Sequence, residues 1–315
     1  MRPGSIGSFA ASQIAGALSL LSSGQVPTLD TTVAVASVLP AGNYRLLYWL
    51  APSAAVVDVV GNGTVYAMTS GKGGDGYIGA GSSGAGGGGG AGAAIAEIAA
   101  TSGNQFVCST AGVACSLTGA GKSVVASNGG EGSFTVASSP PGATAITAAT
   151  THALFGGGGG GQGAGGGGAN NSAPGETSPV GSAGGGYNGA PSSNGGAGGG
   201  SGGGVVGGNP VNGVRGGDSN VGTPTATSLT AVGTKLIEII EAAIGGFVAG
   251  GGGAGGSGTA QVGGTGARGG GNGGSNSGSV NPTAGVHGGG GGGGQRDVAG
   301  AVGAPARLVM LYQVS

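Results

Sequence analysis

The chain has 315 residues, 88 of them glycine, with 6% charged residues and a formal net charge of −1. The nine Lys and Arg are isolated and form no stripe, which excludes electrostatic binding of nucleic acid. So little charge also argues against intrinsic disorder, which pairs low hydropathy with high net charge, and no stretch of about 18 apolar residues marks a membrane span.

At the N-terminus, Met1 and Arg2 lead into a segment interrupted by Ser5, Ser8, Ser12 and Gln13, a poor signal peptide with one basic residue. The spacing of Phe9, Ile14, Leu18 and Leu21 predicts a short helix over 5–23, capped by Ser8 and ended by Gly24. Residues 1–30 are read as a docking segment.

Residues 31–155 are read as a β-rich domain carrying a first glycine insert. Strands are predicted over 32–39, 44–50, 56–60, 64–68, 93–100, 105–117, 124–126, 133–137 and 144–155. Valine-rich 56–60 and 64–68 flank Asn62-Gly63, a hairpin signal. Trp49 and Tyr66 are expected in the core. Cys108 and Cys115 lie in a short-hairpin context and are read as two small buried residues; the alternative, a local disulfide, would close too short a loop to add much. Gly119, Gly121, Lys122 and Ser123 imitate the end of a phosphate-binding loop. However, Ser116 stands where the motif needs glycine, and no helix follows.

The third region, 156–315, contains the glycine blocks 156–222 and 250–294. The first is punctuated by Asn170-Asn171, Pro174-Gly175, Asn188-Gly189, Asn194-Gly195, Asn209-Pro210 and Asn212-Gly213. Such turn residues at intervals are expected where straight segments fold back on one another. A helix is predicted over 234–246, capped by Thr234, with Leu236, Ile237, Ile240 and Ile244 on one face and Gly245-Gly246 as its stop. A strand, 307–314, closes the chain.

Glycine yields much entropy on ordering and offers no side chain to bury, so an ordered chain this rich in it must use the missing side chain. A polyglycine strand in the polyproline-II-like conformation has about three residues per turn and no internal hydrogen bonds. Packed side by side, such strands can bond laterally and satisfy every backbone group. The expected architecture is therefore mainly β with a glycine-rich bundle of polyglycine-II-like helices, the short N-terminal helix, and the α-helix near 234–246; the alternative for the glycine blocks is a disordered low-complexity segment. Collagen is excluded, because the run 156–161 followed by Gln162 breaks the glycine-every-third rule.

No chemistry suggests an enzyme. His152 and His287 have no neighbouring carboxylate in sequence, and the ten Asp and Glu are scattered. No cofactor or metal is expected. Surface contacts are expected at the turn tips: Asn170, Asn171, Tyr187, Asn188, Asn194, Asn209 and Asn212. Aromatic and Asn side chains on tight turns suit glycan or protein surfaces.

The order of features resembles the glycine-rich tail fibre and adhesin proteins of tailed bacteriophages. A strand from Pro40-Ala41-Gly42 reaches Trp49, a glycine run follows at 86–90, and a longer block opens at Phe155-Gly156. The ending, Gly303-Ala304-Pro305-Ala306-Arg307-Leu308-Val309-Met310-Leu311-Tyr312, resembles the Gly-Ala-Pro-Gly and apolar strand that close those domains. Two departures are Leu50-Ala51-Pro52 after Trp49 and Ala306 in place of the last glycine. The resemblance, spanning roughly 35–315, implies a virion structural protein made in the host cytoplasm. It implies polyglycine-II packing, loops that in some members bind the host surface, and a homo-oligomer. Partners would be other virion proteins through the N-terminal segment, and a host glycan or outer-membrane protein. The alternatives are a head fibre, minor capsid or decoration protein without receptor function, and more remotely an ice-binding protein, for which threonine is sparse in 156–222.

Overall fold

The computed structural model describes residues 17–79, 86–110, 114–132, 143–158, 160, 226–247, 250–253, 255, 263–266, 269–275, 280–295 and 297–314. The strands are β1 (Ser19–Ser22), β2 (Leu29–Val35), β3 (Gly42–Leu50), β4 (Val56–Val60), β5 (Gly63–Ser70), β6 (Ala93–Ala100), β7 (Gln105–Ser109), β8 (Ala114–Gly119), β9 (Lys122–Ser127), β10 (Ala145–Thr147), β11 (Thr150–Phe155) and β12 (Ser228–Leu229). The helix α1 (Ala231–Ile244) and the strand β13 (Arg307–Val314) complete the order. The chain is mainly β, as expected.

Two antiparallel sheets face each other. One has six strands in the order β1-β4-β7-β8-β9-β10; the other has seven, β12-β11-β6-β5-β13-β3-β2. The last strand in sequence therefore lies inside the larger sheet, between β3 and β5. Successive side chains of a strand point to opposite faces, and the larger sheet uses both. From β13, Leu308, Met310 and Tyr312 enter the core between the sheets, while Val309 and Leu311 enter a second core beneath α1. From β5, Val65 and Ala67 go one way and Tyr66 and Met68 the other. The smaller sheet alternates instead: Phe106 and Cys108 of β7 point inward, and Val107 is exposed.

This difference overturns the predicted 56–60/64–68 hairpin. β4 pairs with β1 and β7, while β5 pairs with β6 and β13, so the chain crosses between sheets around Asn62. The run Val65-Tyr66-Ala67-Met68 has no polar face and fits only a sheet covered on both sides. Asn62 Oδ1 accepts the Ser102 N–H instead of serving a hairpin. The predicted strand over 105–117 is two paired strands, β7 and β8. The loop resembling a phosphate-binding one is the β8–β9 turn, with positive φ at Ala120 and Gly121, the geometry of a two-residue hairpin.

The N-terminal helix is corrected where it is described: residues 19–22 form β1, paired with β4. Leu20 is buried and Leu21 exposed, a period of two that the helical spacing of Leu18 and Leu21 obscured. The second predicted helix forms, shifted by three residues at its start. Thr230, not Thr234, is its cap, since Thr230 is extended and its side chain accepts the Gly233 N–H. Gly233 sits inside the helix because a Cβ there would collide with the His152 carbonyl of β11. Gly245 ends the helix in the left-handed region. Leu236 and Ile240 are fully buried, whereas Ile237 and Ile244 are half-buried.

Trp49 and Tyr66 are core residues, as read from the sequence. Cys108 and Cys115 are free thiols, both buried, with sulfurs 3.7 Å apart. The contact with Cys108, together with burial, pushes the Cys115 thiol well up.

Candidate functional site

The glycine segments leave the sandwich at the ends of its strands. Residues 71–79 continue β5, 127–132 continue β9, 156–158 continue β11, and 86–92 and 301–306 run into β6 and β13. They collect, with the described parts of 250–255, 263–275 and 280–304, into a stack held by backbone hydrogen bonds between segments.

The bonds have a pattern. In the sheet, β5 pairs with β6 up to Ser70 opposite Ala93. The same register then continues: Gly71 N–H donates to Gly92 O (3.1 Å), Gly74 to Gly89 O (2.8 Å) and Tyr77 to Gly86 O (3.0 Å). β5 pairs with β13 up to Ser70 opposite Arg307. That register continues as Gly73 to Ala304 O (2.8 Å), Gly76 to Ala301 O (2.8 Å) and Gly79 to Val298 O (3.2 Å). Bonds to a given neighbour thus recur at every third residue.

Other groups of 71–79 point to other neighbours. Gly291 and Gly294 donate to the carbonyls of Gly74 and Tyr77, and Gly129 and Gly132 to those of Lys72 and Asp75. Among the described residues, four segments therefore surround this one. The three-residue step is repeated elsewhere, by Ala91 to Gly288 O with Gly88 to Gly291 O, and by Ala304 to Gly289 O with Ala301 to Gly292 O.

Such contact requires glycine. A Cβ on Gly74, Gly88, Gly252, Gly290, Gly291 or Gly292 would lie closer than 3.0 Å to a carbonyl oxygen of the adjoining segment, a separation real Cβ atoms essentially never show. Side chains appear on the outside, where Tyr77, Ile78, Val286 and Val302 are exposed. Tyr77 stood among the aromatic residues of the sequence, but nothing local marked it as outward-facing.

Polar groups seal the junction with the sandwich. Ser127 and Thr144 share a buried hydroxyl contact of 2.9 Å, and Ser127 Oγ accepts the Gly157 N–H. Asp75 pairs with Lys72 and accepts the Gly303 N–H. Arg307, fully buried at the start of β13, donates to the carbonyls of Gly246 (2.6 Å), Phe247 (2.8 Å) and His287. It thereby joins the sheet, the end of α1 and the glycine run at 288–294. Among the described residues its guanidinium meets no carboxylate, and burial pushes its pKa down to about 10. The carbonyls just past α1 lie at the negative end of the helix dipole, which favours a cation there.

His152 is not isolated, contrary to the sequence reading. It is the extra residue of a bulge between β11 and β6. Its Nε2 lies 2.9 Å from Glu97 Oε2, and its Nδ1 lies 3.0 Å from Thr230 Oγ1. Thr230 Oγ1 also takes the Gly233 N–H, so the chain of contacts fixes the helix cap to the sheet. Glu97 is distant in sequence, and no local signal could have paired it with His152. His287 packs its ring against Gly245 and Gly246, and burial, with the nearby Arg307, lowers its pKa.

The contact residues expected from sequence, Asn170, Asn171, Tyr187, Asn188, Asn194, Asn209 and Asn212, lie outside the described residues, as does the predicted strand 133–137. Among the described residues, no group of three or more His, Cys, Asp and Glu is placed to hold a metal ion. No protein-family model matches the sequence, and no curated protein or solved structure matches it significantly.

Proposed function

We propose that the glycine segments are packed polyglycine-II helices and that the chain is a bacteriophage virion structural protein of the tail fibre or adhesin class. The helical reading is supported by the bond period of three, which equals the residues per turn of that conformation. Hydrogen exchange on the intact chain tests it. The amides of Gly74, Gly88 and Gly291 are expected to exchange slowly; complete exchange within seconds would overturn the helices.

The functional reading is carried by the way both sheets run out at one end into a glycine-rich stack. This arrangement makes a stiff scaffold of bonded backbone, suited to holding loops away from a particle. The N-terminal segment docks to other virion proteins, and copies of the chain assemble together. The residues of 170–212 read from the sequence as turns meet the host surface, a glycan or an outer-membrane protein. Antibody raised against the chain should label particles; particles without label would end the virion reading. Particles with Tyr187→Ala and Asn188→Ala should adsorb poorly. Normal adsorption would remove the receptor role.

A further inference from the structure

Among the described residues, each sheet has two edges, and three of the four edge strands are very short. β1 has four residues, β10 three and β12 two. β2 has seven, paired with β3 without a bulge, and no described strand lies on its outer side. Proteins that stay single blunt a long edge with lysine, proline or a bulge. The sequence of β2, Leu29-Asp30-Thr31-Thr32-Val33-Ala34-Val35, has none of these, and its one charge is paired with Arg45.

The adjoining surface is apolar. Leu29, Thr31 and Val33 form, with Ile239, Ala242 and Ala243 of α1, a groove of about 380 Å³. An extended strand laid along β2 would place alternate side chains beside this groove.

We propose that the occupant is a second copy of this chain, β2 against β2, antiparallel about Thr32 across a twofold axis, an inference that rests on the chain being a repeated subunit. An antiparallel edge is complementary to itself, so the twofold arrangement needs no second surface. Pairing about Thr32 sets Thr31 opposite Val33 and Asp30 opposite Ala34, so no like charges meet across the axis. Thr31 and Val33 of each copy then share the α1 face, continuing the apolar surface of the groove. A net charge of −1 gives two copies almost nothing to repel.

Sedimentation velocity of the intact chain should show a concentration-dependent dimer. Thr32→Lys sets two lysines opposite each other and should weaken association at least about tenfold, with an unchanged melting temperature at dilutions where both proteins are monomeric. Thr32→Cys should crosslink the dimer on mild oxidation, because the native thiols are buried. Thr118→Cys, exposed on the outer face of the smaller sheet, should not. A monomer at all concentrations to about 100 µM would overturn the inference. So would an oligomer that crosslinks through Thr118→Cys or through neither cysteine. Particle labelling is independent of these outcomes, so the edge can fail while the virion reading stands.

Discussion

The sandwich and the glycine stack solve one problem in two ways. In the sandwich, strands bond to two neighbours in a plane, and their side chains fill the layers on either side. In the stack, residues 71–79 bond to four neighbours among the described residues, and the space between segments is filled mostly by backbone. The register passes from one to the other without a shift. Side chains are thus what flattens the array into sheets; once they are removed, neighbours can approach from all around the segment.

The sharpest way to break this comparison is to add one methyl group to the stack. Gly290→Ala would drive a Cβ into the Gly88 carbonyl. It should cost at least ~4 kcal/mol, in the range reserved for severe overpacking, and denaturant unfolding would read it. Gly103→Ala separates close approach from glycine as such. Gly103 has positive φ but open space around its Cβ position, so only backbone strain of about 1 kcal/mol is expected.

The sandwich should show the reverse sensitivity. Leu308→Ala removes a fully buried side chain between the sheets and should cost about 3 kcal/mol through lost burial and a cavity. A cost at Leu308 exceeding that at Gly290 would put the stability of the molecule in its side chains after all.

At the junction, Arg307→Met should cost about 2–3 kcal/mol, since the carbonyls of Gly246, Phe247 and His287 lose their donor. If the junction couples the two regions, hydrogen exchange should rise at Gly288–Gly291 as well as in β13.

The smallest effect is one of pH. The folded state holds His287 neutral more strongly than the unfolded chain does, so the unfolded chain takes up the proton first. Stability should therefore fall slightly as pH drops below 6.5. His287→Asn, which tolerates the positive φ at this position, should flatten that part of the profile.

What was legible in the sequence was local. Strands 56–60, 93–100 and 307–314 stand where their β-branched and apolar runs placed them. The helix end at Gly245 was likewise marked by residues in contact with it. Partners were not legible. Val56–Val60 and the following strand read as a hairpin because Asn62-Gly63 is a strong short-range signal. Which sheet each joins depends on strands arriving later, β13 among them. Arg307 and the Glu97–His152 contact were missed for the same reason. Composition pointed to lateral bonding of glycine, but it placed 71–92 as an insert in the β region. A run without side chains carries no periodicity to say where it belongs, and only the register inherited from β5 and β6 does.

The three-residue step of the stack also sets a rule for how its length can change. In threefold helices of the kind proposed, deleting or inserting a single residue in 71–79 would rotate every later N–H and C=O by a third of a turn, away from the neighbours they serve. Three residues added to a segment and to each of its bonded neighbours would restore all of those directions and lengthen the stack by about 9 Å. Growth in the gene is then quantised in codon triplets and must be matched across segments far apart in the reading frame.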